Sequence, residues 1–262
     1  KIHTMMCNNC KHIFQYEQFN DKTLSFLYES DTQNNSFDDR RDVRVYLKNL
    51  KKRQQFLLDT INSLSFSNEK KLNILDVGGG SGEISECLVE RGSVYLADVS
   101  ANKPINAQMI KIPKMFSEVN LDVKFDVIIM NHVLEHVFSP MSFLMKANTL
   151  LTDRGVIIIE VPFELNTPFF KRIGDWKHVV YFSSMSLRNF LKKSGFNPIF
   201  VKLTTGYYET RSLPVIRAVA RKAECPSKGV IYKSGYLSLL LDVFNLKALA
   251  PYVLSKIVKL VK

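Results

Sequence analysis

The segment LNILDVGGGSG, at positions 72–82, constrains the fold of this chain more than any other feature. An apolar run over 72–77 predicts a buried strand, and it leads directly into a glycine-rich turn and a helix predicted over 83–91. Glycines there let the backbone bend tightly and approach a ligand without a Cβ in the way, and a helix N-terminus offers unpaired N–H groups. The pattern predicts a ligand site at the carboxyl end of this strand. A tight turn without a ligand is the simpler alternative.

An acid ends the next predicted strand, which covers 93–98. Asp98 lies twenty-two residues after Asp76 and can accept both hydroxyl hydrogens of a ribose. These features alone fit a dinucleotide or another adenosyl ligand. The Asp76 carboxylate would repel a pyrophosphate and suits the cationic amino-acid end of S-adenosylmethionine (SAM). The lack of a lysine directly after the glycines argues against a nucleoside triphosphate.

The rest of the chain alternates short apolar strands with helical segments, which predicts an α/β fold with a mostly parallel sheet and helices on both faces. Further strands are predicted over 125–130, 156–161, 198–203 and 213–221, and helices over 141–151 and 186–194. Pro214 cannot donate a ladder hydrogen bond, so the last strand is expected at an edge. Before the glycine loop, apolar residues recur at helical spacing over 38–64 and predict an amphipathic helix or a helix pair.

Five segments resemble the class I SAM-dependent methyltransferases: LDVGGGSG, VYLADVS, FDVIIMNHVLEHV, LLTDRGVIIIEVP and WKHVVYFSSMSLRNFLKKSGF. Together they cover residues 72–203 in the order of that family, which is more specific than any single motif. The resemblance implies SAM as the cofactor and a Rossmann-like sheet of seven strands, the last of them antiparallel. The LEHV and HxxYFS-type segments most resemble the branch that acts on sugars, lipids and quinone-type small molecules.

The resemblance implies eight residues of the cofactor site: Asp76, Gly78, Gly80, Gly82, Asp98, Val99, Asn131 and His132. Asp76 would lie by the amino group of the methionine portion, Asp98 on the ribose hydroxyls and Val99 against the adenine. The glycines would line the methionine and ribose portions, and the last two residues would face the cofactor from the end of the fourth strand. Phe116 and Glu118 are both candidates for contact with the adenine amino group.

A general base assists methyl transfer to a hydroxyl or carbon, and histidine is the usual one near neutral pH. His178 is the first candidate, because it lies in a long loop after the fifth strand, where such folds carry substrate lids; packing on Trp176 or capping the next helix is the alternative. Glu160 is a candidate for substrate contact or for pairing with a basic residue, and Tyr181 for orienting a substrate hydroxyl. A solvated acid and a packing aromatic are the alternatives for these two. His136 is expected to fix a loop through a backbone hydrogen bond.

The N-terminal segment carries a CxxC pair, Cys7 and Cys10, within CNNCKHIF. This stretch resembles the second half of the zinc ribbon that some members of the branch carry. Tetrahedral zinc needs four ligands, so zinc is expected only if a further cysteine pair precedes Lys1. Two ordinary thiols are the favoured interpretation for this sequence, and no metal ligand is predicted in the site itself. Four cysteines in the chain are typical of a reducing, cytoplasmic location.

Nearly half of the net charge of +11 lies in residues 225–262, which hold six lysines and one acid. No nucleic-acid partner is expected, because no arginine-rich run with interleaved aromatics occurs elsewhere. The tail over 236–262 predicts either contact with the inner face of an anionic membrane or packing on the body or on a second copy of the chain, packing being the commoner fate. No apolar run is long enough for a transmembrane helix. The predicted units are an N-terminal segment (1–66), a methyltransferase domain (67–224) and this tail (225–262).

These observations predict an enzyme that transfers a methyl group from SAM to a small-molecule or lipid-linked acceptor, in particular a sugar or glycan precursor. Oxygen is the expected acceptor atom, with carbon and nitrogen open. A quinone-type O-methyltransferase is one alternative, and a non-catalytic protein that keeps the fold and binds SAM is another. An RNA methyltransferase is disfavoured, since a (D/N)PPY motif is absent.

Overall fold

The computed structural model describes residues 3–8, 12–16, 42–64, 66, 71–165 and 177–223. Ten strands lie in these ranges: β1 (Thr4–Met6), β2 (Ile13–Gln15), β3 (Leu72–Val77), β4 (Gly92–Ala97), β5 (Ile110–Ile112), β6 (Phe125–Asn131), β7 (Leu151–Pro162), β8 (Val180–Tyr181), β9 (Phe196–Tyr208) and β10 (Arg211–Lys222). The α-helices in these ranges are α1 (Val43–Ser63), α2 (Pro140–Leu150) and α3 (Ser184–Lys193). The predicted C-terminal tail, Trp176 and Cys10 lie outside the described residues.

Seven of the strands form one sheet in the order β5-β4-β3-β6-β7-β10-β9. Neighbours from β5 to β7 are parallel, whereas β10 runs antiparallel to both β7 and β9. The predicted Rossmann-like α/β sheet of seven mostly parallel strands is thus confirmed. The antiparallel strand is the last of them in the chain, as the resemblance implied.

The expectation that Pro214 places the last strand at an edge is wrong, because β10 lies between β7 and β9. The carbonyl oxygen of Pro214 accepts a hydrogen bond from the N–H of Phe163 at 2.9 Å, on the β7 side. In a strand, the N–H and the carbonyl of one residue point to the same neighbouring strand, so the nitrogen of Pro214 faces β7. The pairing between β10 and β7 begins only at Val215, opposite Pro162. Pro214 therefore lies where the ladder ends, and its missing N–H removes no bond between paired residues.

Helices cover both faces of the sheet. Along β3, the side chains of Leu75 and Val77 belong to one core cluster, and those of Leu72 and Ile74 belong to another. The first cluster includes buried side chains of α2 and α3, and the second includes Leu57 of α1. Because successive strand residues point to opposite faces, an uninterrupted apolar strand is buried on both sides. Helix α1 shares this core, while a domain boundary at residue 66 remains a prediction.

Polar caps fix where the helices begin. The Asp42 carboxylate accepts the N–H of Arg44 at 3.0 Å ahead of α1. The Ser139 side chain caps α2, and Ser183 forms a capping box with Ser186 at the start of α3. The amphipathic segment predicted over 38–64 thus contains one helix from residue 43 onward. Within the described ranges no helix is long and apolar enough to cross a membrane.

The helix in the connection from β3 to β4 is shorter than predicted. Residues 83–85 form turns, and a 3₁₀ helix follows over Glu86–Arg91. Gly92 begins β4 at once, and a Cβ at this position would lie 2.0 Å from the carbonyl oxygen of Leu72. The chain therefore returns to the sheet at a glycine, where the backbones of β3 and β4 approach closely.

A second sheet joins the N-terminal segment to the main body. Strand β2 pairs antiparallel with both β1 and β8. The backbone N–H of Gln15 donates to the carbonyl oxygen of Val179 at 2.9 Å, and its side-chain amide donates to the carbonyl oxygen of His178 at 2.8 Å. His12 packs 5.3 Å from the ring of Phe182, and burial lowers its pKa to about 4. The hairpin formed by β1 and β2 thus contacts the segment that carries His178.

Candidate active site

The glycine loop after β3 has a backbone that only glycine adopts readily. Gly78 and Gly80 have φ angles of 67° and 58°, in the left-handed region. A Cβ at Gly78 would lie 2.9 Å from Cγ2 of Val133, so the loop packs closely against the end of β6. At Gly80 a Cβ would meet nothing within 4 Å. The loop therefore presents bare backbone to an open space, as expected for a ligand cradle.

Asp76 lies beneath this loop. Its side chain is buried and accepts a hydrogen bond from the Ser85 hydroxyl at 2.6 Å. A Cβ at Gly79 would lie 2.6 Å from its Oδ2, so the loop folds directly over the carboxylate. Burial, helped by the nearby Asp98 charge, raises the pKa of Asp76 to about 6, while Ser85 and Arg53 act in the opposite direction. The carboxylate thus organises the loop from inside.

Asp98 ties the end of β4 to the glycine loop. Its carboxylate accepts the N–H of Gly80 at 2.9 Å and the N–H of Ser100 at 2.8 Å, and Lys111 Nζ lies 3.6 Å away. Lys111 also donates to the carbonyl oxygen of Gly80 at 3.0 Å. Burial favours the neutral acid, but the bonds from Ser100 and Gly80 and the Lys111 charge outweigh it and hold the pKa below its usual range. Asp98 is therefore an anion at the edge of the loop.

A crevice of about 300 Å³ lies over the glycine loop. Helix α1, the loop and the turn between β9 and β10 supply much of its wall, including Tyr46, Arg53, Gly78, Gly80, Tyr208 and Glu209. The Tyr46 hydroxyl donates to the Glu83 carboxylate, and the Gln54 amide donates to the Glu83 carbonyl oxygen at 2.8 Å. These bonds hold α1 across the crevice. No local motif in the sequence points to Tyr46, Arg53 or Tyr208, because they come from distant segments.

His132 follows β6 as a partly buried cation. It has a φ of 54°, and its backbone N–H donates to the carbonyl oxygen of Glu160 at 2.8 Å. Its Nε2 lies 3.3 Å from Oε1 of Glu160, and its Nδ1 lies 3.2 Å from Oε1 of Glu135. Burial favours the neutral ring, but the two carboxylates outweigh it and raise the pKa of His132 to about 9. Its ring packs 5.1 Å from that of Tyr208, which lines the crevice.

Glu160, near the end of β7, is held between two cations. Nε of Arg217, on β10, donates to its Oε2 at 2.6 Å, and His132 contacts its other oxygen. Although burial favours the neutral acid, these partners lower its pKa to about 2. The guanidinium of Arg217 also lies 4.0 Å from the centre of the Phe56 ring on α1. Only 2% of the surface of Glu160 is exposed, so the alternative interpretation of this residue as a solvated acid is wrong.

His178 and His136 lie together beside this network. Nδ1 of His178 lies 2.7 Å from Oε2 of Glu164, and the two imidazole centres are 4.8 Å apart. Nδ1 of His136 donates to the carbonyl oxygen of Lys177 at 2.6 Å, which is the loop-fixing bond expected of it. Burial lowers the pKa of His136 and keeps this ring neutral at pH 7. The Glu135 carboxylate lies between His132 and His136, 3.8 Å from Nε2 of the latter.

The other predicted residues lie around the same edge of the sheet. Val99 is half exposed just after Asp98, and Asn131 ends β6 opposite Glu160. Tyr181 belongs to the core, with 2% of its surface exposed. Phe116 is buried and Glu118 lies on the surface, so the choice between them as an adenine contact stays open.

The family model that describes a methyltransferase domain matches residues 50–200 of this chain. This range contains β3 to β7, the glycine loop and the histidine–carboxylate network. A search of curated proteins found no significant match.

Solved methyltransferase structures share the fold. The 1,6-didemethyltoxoflavin-N1-methyltransferase of Burkholderia thailandensis, with 1,6-didemethyltoxoflavin and S-adenosylhomocysteine (SAH), is 16% identical and has a TM-score of 0.59, covering 86% of this chain and 100% of its own. The magnesium protoporphyrin IX methyltransferase of Synechocystis PCC 6803, with bound SAM, is 17% identical with a TM-score of 0.53. The match covers 79% of this chain and 99% of that one. The N-methyltransferase NodS of Bradyrhizobium japonicum WM9, with SAH, is 15% identical with a TM-score of 0.54. The match covers 75% of this chain and 98% of that one. These structures hold the cofactor predicted here, or its demethylated product.

Proposed function

The chain belongs to the methyltransferase family, and from this premise we propose that it moves a methyl group from SAM to an oxygen atom of a small-molecule acceptor. The acceptor is a sugar, a glycan precursor or a lipid-linked intermediate. The main support for the proposal is the hydrogen bond that links the glycine loop to Asp98, the acid after β4. Gly80, in a left-handed conformation beside open space, donates its N–H to the Asp98 carboxylate at 2.9 Å.

The crevice has the chemistry that SAM requires. Bare backbone at Gly78 and Gly80 allows close approach of the ligand, and the anionic Asp98 suits the ribose diol. Arg53 and Tyr208 close the crevice from α1 and from the end of β9. Bound SAM supplies a methyl group on a cationic sulfur. We assign to this site all eight cofactor residues predicted from the sequence.

His178 takes the proton that the acceptor hydroxyl loses. The Glu164 carboxylate, 2.7 Å from Nδ1, orients the ring and stabilises its protonated form, as an acid partner does for a catalytic histidine. The side chain of His178 is 24% exposed, so an acceptor has access to it. We assign to Glu160 the role of counter-ion for His132 and Arg217, and to Tyr181 a packing role.

The basic tail supports a location in the cytoplasm at the inner face of the membrane when the acceptor is lipid-linked. Co-sedimentation with anionic vesicles tests this location. The full chain is expected to bind them at low salt, and a chain that ends at residue 224 is expected to remain in solution. Equal behaviour of the two chains would contradict the assignment.

Calorimetric titration with SAM tests the cofactor site. Asp98→Ala is expected to weaken SAM binding about 10- to 100-fold, because each hydrogen bond to a charged group contributes about 1.5–3 kcal/mol. Asp122→Ala, which removes an exposed acid outside the crevice, is the matched control and is expected to bind normally. Absence of SAM binding by the unmodified chain would reject the proposed function.

Turnover of an acceptor panel then tests the base. Sugar nucleotides, lipid-linked sugars and phenolic quinol analogues are compared by the formation of SAH. His178→Ala is expected to lower turnover strongly while SAM affinity stays within about twofold. Unchanged turnover would remove His178 from this role, and turnover confined to the phenolic compounds would reject the sugar and lipid-linked acceptors.

A further inference from the structure

A buried carboxylate beside the crevice has no well-aligned hydrogen-bond donor in the part of the chain that the structure describes. Glu135, in the turn after β6, is 1% exposed, and neither of its carboxylate oxygens accepts a hydrogen bond from any described residue. Its ion-pair contacts among the described residues are with His132, at 3.2 Å, and His136, at 3.8 Å. Burial of a carboxylate that accepts no well-aligned hydrogen bond is costly, so these oxygens can take a further ligand.

Two histidines lie next to this carboxylate. Glu135, His136 and His178 each place one ligand atom within 4.8 Å of those of the other two. Two of these residues share the turn after β6, and His178 reaches the group from the segment just before β8. Two imidazoles and one carboxylate are a ligand set that divalent transition metals favour.

The outer contacts of both rings select one tautomer. Nδ1 of His136 faces the carbonyl oxygen of Lys177 at 2.6 Å, and Nδ1 of His178 faces the Glu164 carboxylate at 2.7 Å. A carbonyl or carboxylate acceptor requires the proton on Nδ1, which places the lone pair of the neutral ring on Nε2. Metal-binding histidines typically have this arrangement, in which the second nitrogen donates to a carbonyl or a carboxylate.

We propose that Glu135, His136 and His178 bind a divalent transition-metal ion of the zinc type through the Glu135 carboxylate and the two Nε2 atoms. Three protein ligands leave a coordination position open for another oxygen. Mg²⁺ and Ca²⁺ are disfavoured because they prefer oxygen ligands throughout. The site departs from the expectation of no metal ligand, since His178 lies more than forty residues after the other two in the chain.

The proposed ion lies next to the cofactor crevice. Glu135 contacts His132, whose ring packs on Tyr208 of the crevice wall. The open coordination position of the ion suits the hydroxyl of the methyl acceptor. This assignment rests on the proposed function. A hydroxyl bound to such an ion loses its proton more readily. An ion on Nε2 of His178 excludes proton transfer to that nitrogen, so the metal-loaded protein ionises the acceptor on the metal and the metal-free protein uses His178.

Titration of the metal-free full chain with Co²⁺, followed by visible absorption, and with Zn²⁺, followed by calorimetry, tests the site. The background is Cys7→Ser with Cys10→Ser, which removes the two thiols of the CxxC pair. One equivalent of each ion is expected to bind. Glu135→Gln is expected to lose this binding, whereas His3→Gln, at an exposed histidine outside the site, is expected to retain it.

Glu164→Gln supplies a second, milder variant. It changes only the outer partner of His178 and is expected to weaken Co²⁺ and Zn²⁺ binding about 10- to 100-fold. SAM titration of each variant shows whether the fold is intact, and if Glu135→Gln fails this check, Glu164→Gln decides. Absence of stoichiometric binding in the Cys7→Ser, Cys10→Ser background, or equal binding by the deciding variant and the parent, would overturn the metal site. Metal binding without SAM binding would reject the proposed function alone.

Discussion

The charge on His132 is expected to stabilise the fold at neutral pH. The two carboxylates around this ring raise its pKa from 6.5 to about 9, which corresponds to about 3 kcal/mol of folding free energy. A histidine whose pKa is higher in the folded protein contributes its full stabilisation below the unfolded pKa. It loses that contribution as the pH rises through the folded pKa. The loss is therefore expected between pH 6.5 and about 9.

Other buried groups titrate outside this window. The pKa of His12 is lowered by burial to about 4, so its effect changes below 6.5. Burial raises the pKa of Asp76 to about 6, so its effect on the free energy of unfolding is nearly complete by pH 6.5. Burial of the Cys87 thiol raises its pKa to about 12, so its effect on the free energy of unfolding begins near pH 9. The window from 6.5 to 9 thus isolates His132 from these three groups.

Chemical denaturation of the wild type and of His132→Asn, at half-unit steps from pH 6 to 9.5, measures this effect. Asparagine tolerates the left-handed backbone of residue 132 and carries no charge. The wild type is expected to lose about 3 kcal/mol across the range relative to His132→Asn. His3→Asn, at an exposed position just before β1, is expected to follow the wild type. Parallel profiles for wild type and His132→Asn would refute the reasoning.

Three further substitutions test the loop and the network. Gly78→Ala is expected to lower the free energy of unfolding by about 1–2 kcal/mol, since its φ of 67° and a contact of 2.9 Å both disfavour a Cβ, and thermal unfolding measures it. Ser85→Ala is expected to cost about 1–3 kcal/mol at pH 7 and less at pH 5, where Asp76 is largely protonated; denaturation at both values measures the difference. Arg217→Met is expected to cost about 3–5 kcal/mol, because it leaves Glu160 with one cation, and urea unfolding measures it. Losses below 0.5 kcal/mol in all three would contradict the assigned contacts.

The sequence predicted the local parts of the site well. The bounds of the first sheet strand, 72–77, agree with β3, because a buried strand before glycines has both a clear composition and a clear end. Asp98 was predicted as the last residue of its strand and lies one residue beyond β4, and β6 and β7 cover the predicted strands. Each of these features depends on neighbouring residues, so its pattern is visible in the chain.

Features that depend on distant residues were not predicted. Pro214 suggested an edge strand. Because β7 pairs with β10 only from Val215 onward, the missing N–H of Pro214 lies just beyond the end of this pairing, and composition does not encode the length of β7 precisely. The pairing of β2 with β8 uses strands of three and two residues, too short for a period to appear. The cations around Glu160 come from the turn after β6 and from β10, and no local spacing links them.

The same network has a consequence for the cofactor. Below pH 9, Glu135 and Glu160 are balanced by His132 and Arg217, so the cluster is neutral. When His132 loses its proton, one negative charge remains beside Tyr208 at the crevice wall. A negative charge favours the sulfonium of SAM over the neutral thioether of SAH. The affinity for SAM relative to SAH is therefore expected to rise as the pH passes through about 9.

Paired titrations with SAM and SAH at pH 7, 8, 9 and 9.5 measure this ratio of dissociation constants. His132→Asn keeps the cluster in its anionic state at every pH, so it is expected to favour SAM throughout. Comparison of the two proteins cancels the ionisation of the ligands themselves, because both titrate the same molecules. A preference that differs between the proteins at pH 7 and converges at pH 9.5 supports the coupling. A constant difference across the range would show that the charge of His132 does not act on the sulfonium.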